Sequence, residues 1–311
     1  MKKIIPCVVI SLTLILAGFF LPVLGFFSLM LCPLPLCVLG CLEGQKKMTM
    51  AELMIEITLF LVVSPSMAVY FLLGCSPVAA VIYSVSREDI KAVKKFSGPE
   101  SILICSGASI LFKVILIAAF WFFTGQNIFL PDVKQMAVIL RQLYASSPEL
   151  LQSVMQVLAL LPYLLPALLV IYASFETLLN YSLCGKIVKK FSPSSKNFPP
   201  QLPELKMWRF PKSLLLVFVC SFIAGFFIDT DKWFSGAVFL MNLQIVINVF
   251  MFVQGLAAAF WLMDGFKLRR ITKIFICMIL TIPFFWAWLI ILGMSDIILN
   301  LRERIKFHYS E

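Results

Sequence analysis

Charge is scarce in this chain and histidine almost absent. Asp, Glu, Lys and Arg make up 14% of its 311 residues, where a soluble domain carries about 25%, so a water-soluble globular fold is excluded. The one histidine, His308, stands in the C-terminal tail. With neither HExxH nor GxSxG present, this argues against metal-dependent or histidine-based catalysis. No GxxxxGK(S/T) loop occurs, so the chain is not itself a P-loop ATPase. Its nine cysteines include no CxxC pair and show no zinc-ligand spacing, and they read as small packing residues within or beside apolar segments. No metal and no cofactor is expected. There is no internal repeat of the kind that marks an inverted-repeat transporter. The apolar runs are continuous rather than alternating, which rules out a transmembrane β-barrel.

What is present is hydrocarbon-compatible sequence, with 61% hydrophobic residues. Apolar segments fall at about 4–21, 23–42, 51–64, 66–86, 101–124, 157–184, 213–229, 235–263 and 271–294, and about 20 such residues cross a bilayer. The expected fold is all-α, a polytopic transmembrane helix bundle of about eight or nine segments, some short or broken by proline, forming a single integral membrane domain over 1–311. The start, MKKIIPCVVISLTLILAGFF, resembles a signal peptide but is read as an uncleaved first helix, because no small-x-small cleavage site precedes the next apolar run. The 51–86 region crosses once or twice, depending on the break at Ser64-Pro65-Ser66.

The formal charge of +10 reflects loop lysines and arginines rather than nucleic-acid binding, since no soluble basic domain exists to support the latter. With nine crossings and a cytoplasmic N-terminus, Lys2, Lys3, Lys46, Lys47 and the basic residues of 87–100, 185–212 and 264–273 share the inner side. The tail residues Arg302, Arg304 and Lys306 then lie outside, against the trend. Residues 131–146 carry apolar side chains at helical spacing and read as an amphipathic helix on the outer membrane surface. The segment 185–212 reads as a proline-rich basic cytoplasmic loop.

Charges inside apolar segments are costly and therefore informative. Lys113 sits mid-segment, Glu176 in the inner part of 157–184 and Glu56 early in 51–64. A pair between Lys113 and either glutamate would lower the cost of both, forming either a substrate site or a structural ion pair. In MNLQIVINVFMFVQGLAAAFW, residues 241–261, Gln244, Asn248, Met251 and Gly255 make one helical stripe, while Asn242 and Gln254 fall off it. In the 185–212 loop, Trp208 and Arg209 are either an interfacial anchor or a docking site for a cytoplasmic partner or anionic headgroups.

Several stretches together resemble the YybS-like family of multi-pass bacterial membrane proteins. They are NYSLCGKIVKKF, LPELKMWRFPK, the 241–263 segment and LGMSDIILNLRERI, with LMLCPLPLCVLG near the start. The positions that carry the resemblance are Asn180-Tyr181, Leu202-Pro203, Trp208, Pro211, Asn242, Gln254-Gly255-Leu256-Ala257, Leu292-Gly293 and Asp296. The resemblance implies a bacterial inner-membrane location and, more distantly, similarity to the substrate-binding membrane subunits of vitamin importers. It adds Asn180 to the candidate site residues and singles out Asn242 and Gln254 among the amides. The expected function is therefore not enzymatic, although intramembrane Glu/Lys chemistry stays open. A bilayer-embedded protein would bind or translocate a small molecule or lipid through a polar pocket, with an energising partner protein or a gradient. The alternative is a scaffold that docks a cytoplasmic partner through 185–212.

Overall fold

Hydrocarbon offers a backbone no hydrogen-bond partners, so apolar segments close their bonds internally as helices. The computed structural model describes residues 3–87, 96–125, 133–144, 147–193, 197–227, 233–280 and 282–305. Outside them lie His308, Lys306, Lys232, Lys91, Lys94, Lys95 and both ends of the 131–146 amphipathic segment. Among the described residues the chain is helical throughout, with no strand. The helices are α1 (Ile4–Phe20), α2 (Pro22–Leu31), α3 (Leu34–Glu43), α4 (Gln45–Thr58), α5 (Pro65–Tyr70), α6 (Ser76–Ser86), α7 (Gly98–Thr124) and α8 (Val133–Leu143). They continue as α9 (Pro148–Phe191), α10 (Lys212–Phe227), α11 (Phe234–Gly265), α12 (Arg270–Leu280), α13 (Trp286–Leu299) and α14 (Leu301–Arg304).

Among the described residues five helices reach membrane length and composition: Gly25–Glu43, Pro65–Ser86, Gly98–Phe123, Pro148–Phe191 and Phe234–Gly265. A sixth arises when Arg270–Leu280 and Pro283–Leu299 are taken as one broken span, and Ile4–Phe20 and Lys212–Phe227 are shorter apolar helices. The protein is an all-α, multi-pass membrane protein. In the 51–86 region only Pro65–Ser86 has the length of a span. The break falls where proline chemistry puts it: Ser64 is extended, and its hydroxyl accepts from the Met67 amide at 3.3 Å, with Pro65 opening α5. A π-helical turn lies on each side, Leu59–Val63 and Phe71–Cys75.

The chain forms two compact units. Unit 1 comprises Met1–Leu158 and Tyr172–Leu202, unit 2 Ala159–Ile171 and Pro203–Glu311. In unit 1, α1 packs on α2, α3 and α4, and α6 packs on α3 and α7. Its core joins Ile15, Leu36, Ile55, Leu59, Phe71 and Ile82 with the buried side chains of Cys7, Cys32, Cys37, Cys41, Cys75, Cys105 and Cys184. The helix α9 runs on to Phe191, seven residues into the segment read as a loop.

Unit 2 centres on α11 against α13. A Cβ placed on Gly255 would land on the Leu289 carbonyl, and one on Gly293 on the Met251 carbonyl. These pairings make the two helices antiparallel, with backbones in contact, the arrangement small residues permit. Gly255→Ala should therefore destabilise unit 2 by about 1–3 kcal/mol, the usual cost of overpacking. Gly185→Ala, with open space around it, should stay within about 0.5 kcal/mol. Reversible unfolding in mixed micelles measures both.

Candidate functional site

The polar side chains gather at separate centres. In unit 1, Lys113 of α7 and Glu176 of α9 are 2% and 1% exposed, and Lys113 Nζ lies 2.5 Å from Glu176 Oε2. Of the two glutamates weighed as partners for Lys113, Glu176 is the one it meets. Ser109, one turn before Lys113 on the same helix, donates to the same carboxylate oxygen at 3.2 Å. The ammonium also donates to the Ser109 hydroxyl at 3.1 Å and the Gly74 carbonyl at 3.2 Å. It lies 5.5 Å from the centre of the Tyr172 ring, a cation–π distance. Gly74 belongs to the π-helical turn Phe71–Cys75.

Asn180 follows Glu176 by one turn. Its Nδ2 donates to the Glu176 carbonyl and to the Met30 carbonyl, both at 2.7 Å. Met30 lies in the last turn of α2, where carbonyls have no helical donor. Two acceptors in this centre, Glu176 Oε1 and Asn180 Oδ1, are buried and carry no hydrogen bond. Tyr181 beside them donates to the Pro200 carbonyl at 2.7 Å. Glu56 stands apart from this centre. It lines an open groove of about 470 Å³ with Ile57, Phe60, Leu61, Val69 and Leu72.

The amides of α11 divide as the sequence geometry implies, but the two off the stripe are the buried ones. Asn242 Oδ1 accepts from the Ala167 amide at 2.9 Å, and its Nδ2 donates to the Tyr163 carbonyl at 2.7 Å. Tyr163 and Ala167 are i and i+4 in α9, the pair that a regular helix would bond directly. Pro162 and Pro166 interrupt the ladder there, and the Asn242 carboxamide bridges both ends of the opened bond. Gln254 accepts from the Phe210 amide at 3.0 Å and donates to Asp296 Oδ2 at 2.5 Å. Gln244 makes one contact, to the Ser221 carbonyl at 3.3 Å, and Asn248 is half-buried.

Gln254 belongs to a latch at one end of unit 2. Arg302 Nη2 lies 2.9 Å from Asp296 Oδ2, and Nη1 donates to the Lys206 carbonyl at 2.5 Å. Arg209 pairs with Glu303 at 2.6 Å, and Trp208 Nε1 donates to the Pro203 carbonyl at 2.9 Å. Lys206 pairs with Asp264 and Glu204, both at 2.8 Å. The Asp264 carboxylate first, then Glu204, raises the Lys206 ammonium above the ordinary lysine value. Burial lowers the Arg302 guanidinium, against the pull of Asp296.

These contacts bear on the side of the tail, which loop counting leaves against the charge trend. Charged groups at 302–303 bond residues 206–209, so both segments lie at one membrane face, and an even number of crossings separates them. Arg302 and Arg304 thereby join the basic loops, in line with the charge bias.

An integral membrane protein built of several membrane-length helices, with buried polar side chains bonding backbone groups between them, is the class these features define. A family model described as "Predicted membrane protein (DUF2232)" matches residues 9–297, and the chain belongs to that family. It is 23% identical over 299 residues to the "Uncharacterized protein YybS" of Bacillus subtilis (strain 168), the alignment covering 92% of each chain. No solved structure matches. The resemblance read from the 180–181, 202–211, 254–257 and 292–296 motifs thus extends along nearly the whole chain.

Two outcomes test these centres. Lys113→Met leaves a buried unpaired carboxylate and should cost about 3–5 kcal/mol, while the double change Lys113→Met/Glu176→Leu should recover most of that loss. Asn242→Leu strands two backbone groups and should cost about 2–4 kcal/mol, against about 0.5 kcal/mol or less for Asn248→Leu. Denaturation of each variant in the same micelle gives both comparisons.

Proposed function

We propose that the protein binds, and in a transport cycle passes, a small molecule or lipid through the polar interior of its helices, in the plasma (inner) membrane of a bacterial cell. The observation that carries this reading is the Lys113–Glu176 centre with its two buried acceptors to spare, Glu176 Oε1 and Asn180 Oδ1. A purely structural pair gains nothing from leaving such groups unbonded in a low-dielectric interior. A ligand carrying hydrogen-bond donors satisfies them. Lacking a nucleotide-binding loop, the chain would draw energy from a partner protein or an ion gradient. The scaffold reading has less support, because Trp208 and Arg209 already serve contacts within unit 2.

Mass spectrometry of the protein purified in several detergents tests the reading. A reproducible co-purifying ligand is expected. It should fall by about tenfold or more in Asn180→Leu, the loss typical of one buried hydrogen bond of 1.4 kcal/mol or above, while the folded yield stays measurable. No ligand in any detergent would overturn it.

A further inference from the structure

The groove at Glu56 has a different character from the buried ion pair. It lies where α4 passes through the π-helical turn Leu59–Val63 and the break at Ser64 into α5, and such turns recur at functional sites. Its walls are Ile57, Phe60, Leu61, Ala68, Val69 and Leu72, all apolar, and no lysine, arginine or histidine lines it. Phe60 and Leu61 are 57% and 75% exposed, a surface that belongs in hydrocarbon. Ala68, Val69 and Leu72 occupy the first turns of the membrane-length helix Pro65–Ser86, which sets the groove near one end of that span.

At its polar end stands one carboxylate. Glu56 makes no hydrogen bond or ion pair among the described residues, and its Oε1 is buried. Glu52, one turn earlier, is already held by the Ser76 hydroxyl and adds a second negative charge beside it. The volume, about 470 Å³, is in the range of small-molecule sites. At roughly 30 Å³ for a water-sized group it holds about fifteen such groups. An anionic headgroup would meet the Glu56 carboxylate and no lining cation. A phosphodiester with an amine would leave its phosphate unpartnered.

We infer that this groove is a binding site for a long-chain primary ammonium. The alkyl chain lies along Phe60, Leu61 and Leu72, and the ammonium donates to Glu56, entering sideways from the bilayer. The inference names a ligand class for the binding function proposed above and rests on that reading, but it places the contact at Glu56 rather than at Lys113.

The test uses the full chain in phosphatidylcholine nanodiscs and a dodecylammonium probe with a photoreactive diazirine in its chain, the labelled peptides being read by mass spectrometry. Labelling within 57–72 is expected, competed by unlabelled dodecylammonium and not by dodecyl sulfate. Glu56→Gln should weaken it about ten- to a hundredfold, the range for a hydrogen bond to a charged group, and Glu56→Asp should restore part of it. Leu61→Trp, at an exposed wall position, should block labelling without disturbing the fold. Equal labelling of Glu56→Gln and the wild type, or equal competition by dodecyl sulfate, overturns the groove assignment. If the co-purifying ligand still depends on Asn180 in that event, the binding function stands and the groove inference alone fails. Loss of both removes the reading on which it rests.

Discussion

A backbone group opened to hydrocarbon has no water to turn to, and the polar architecture of this protein follows from that constraint. At several points where a helix ends or is interrupted, a side chain from elsewhere in the same unit takes up a backbone group. Asn242 bridges the opened Tyr163–Ala167 step of α9, Asn180 takes up the Met30 carbonyl at the end of α2, and Lys113 takes up Gly74 in the π-helical turn Phe71–Cys75. Ser64 caps its own downstream helix. Buried polar residues that look unrelated in the sequence answer one requirement.

The requirement also separates repair from surplus. Both polar atoms of Asn242 have a partner, and so do both of Gln254. Lys113, Glu176 and Asn180 repair breaks as well, yet two of their acceptors are left over. Glu56 repairs nothing. Polar groups in excess of structural need are where a ligand has something to bind, and the surplus carboxylate oxygens of Glu176 and Glu56 both lie in unit 1.

Much of this was legible in the sequence, for physical reasons that can be named. The class followed from long uninterrupted apolar runs, and the break at Ser64-Pro65-Ser66 from proline's missing donor. That Lys113 needed a carboxylate followed from the cost of a lone buried charge, although the choice of Glu176 over Glu56 required the packing of α7 on α9. The amides were harder. The helical stripe set Gln244 and Asn248 apart from Asn242 and Gln254, but the pattern along one helix does not reveal what lies opposite, and the buried pair is the one off the stripe. The partners of Asn242 are 75 and 79 residues away. Two prolines four residues apart in α9 were the available sign that some side chain must bridge them. The place of Arg302 beside Lys206 was not legible because the contact spans 96 residues, a separation across which loop counting accumulates error.

The latch that joins 206–209 to 302–303 also sets an order of events during synthesis. Its two halves are 94 to 96 residues apart, so at about 5–20 residues per second the first leaves the ribosome roughly 5–20 s before the second. Through that interval α10 and α11 must be held in the membrane without α13 beside Gly255 and without the Asp296–Arg302 pair that Gln254 meets. Unit 2 is therefore assembled from its far end backwards, its last-made residues closing a structure whose other half has been waiting.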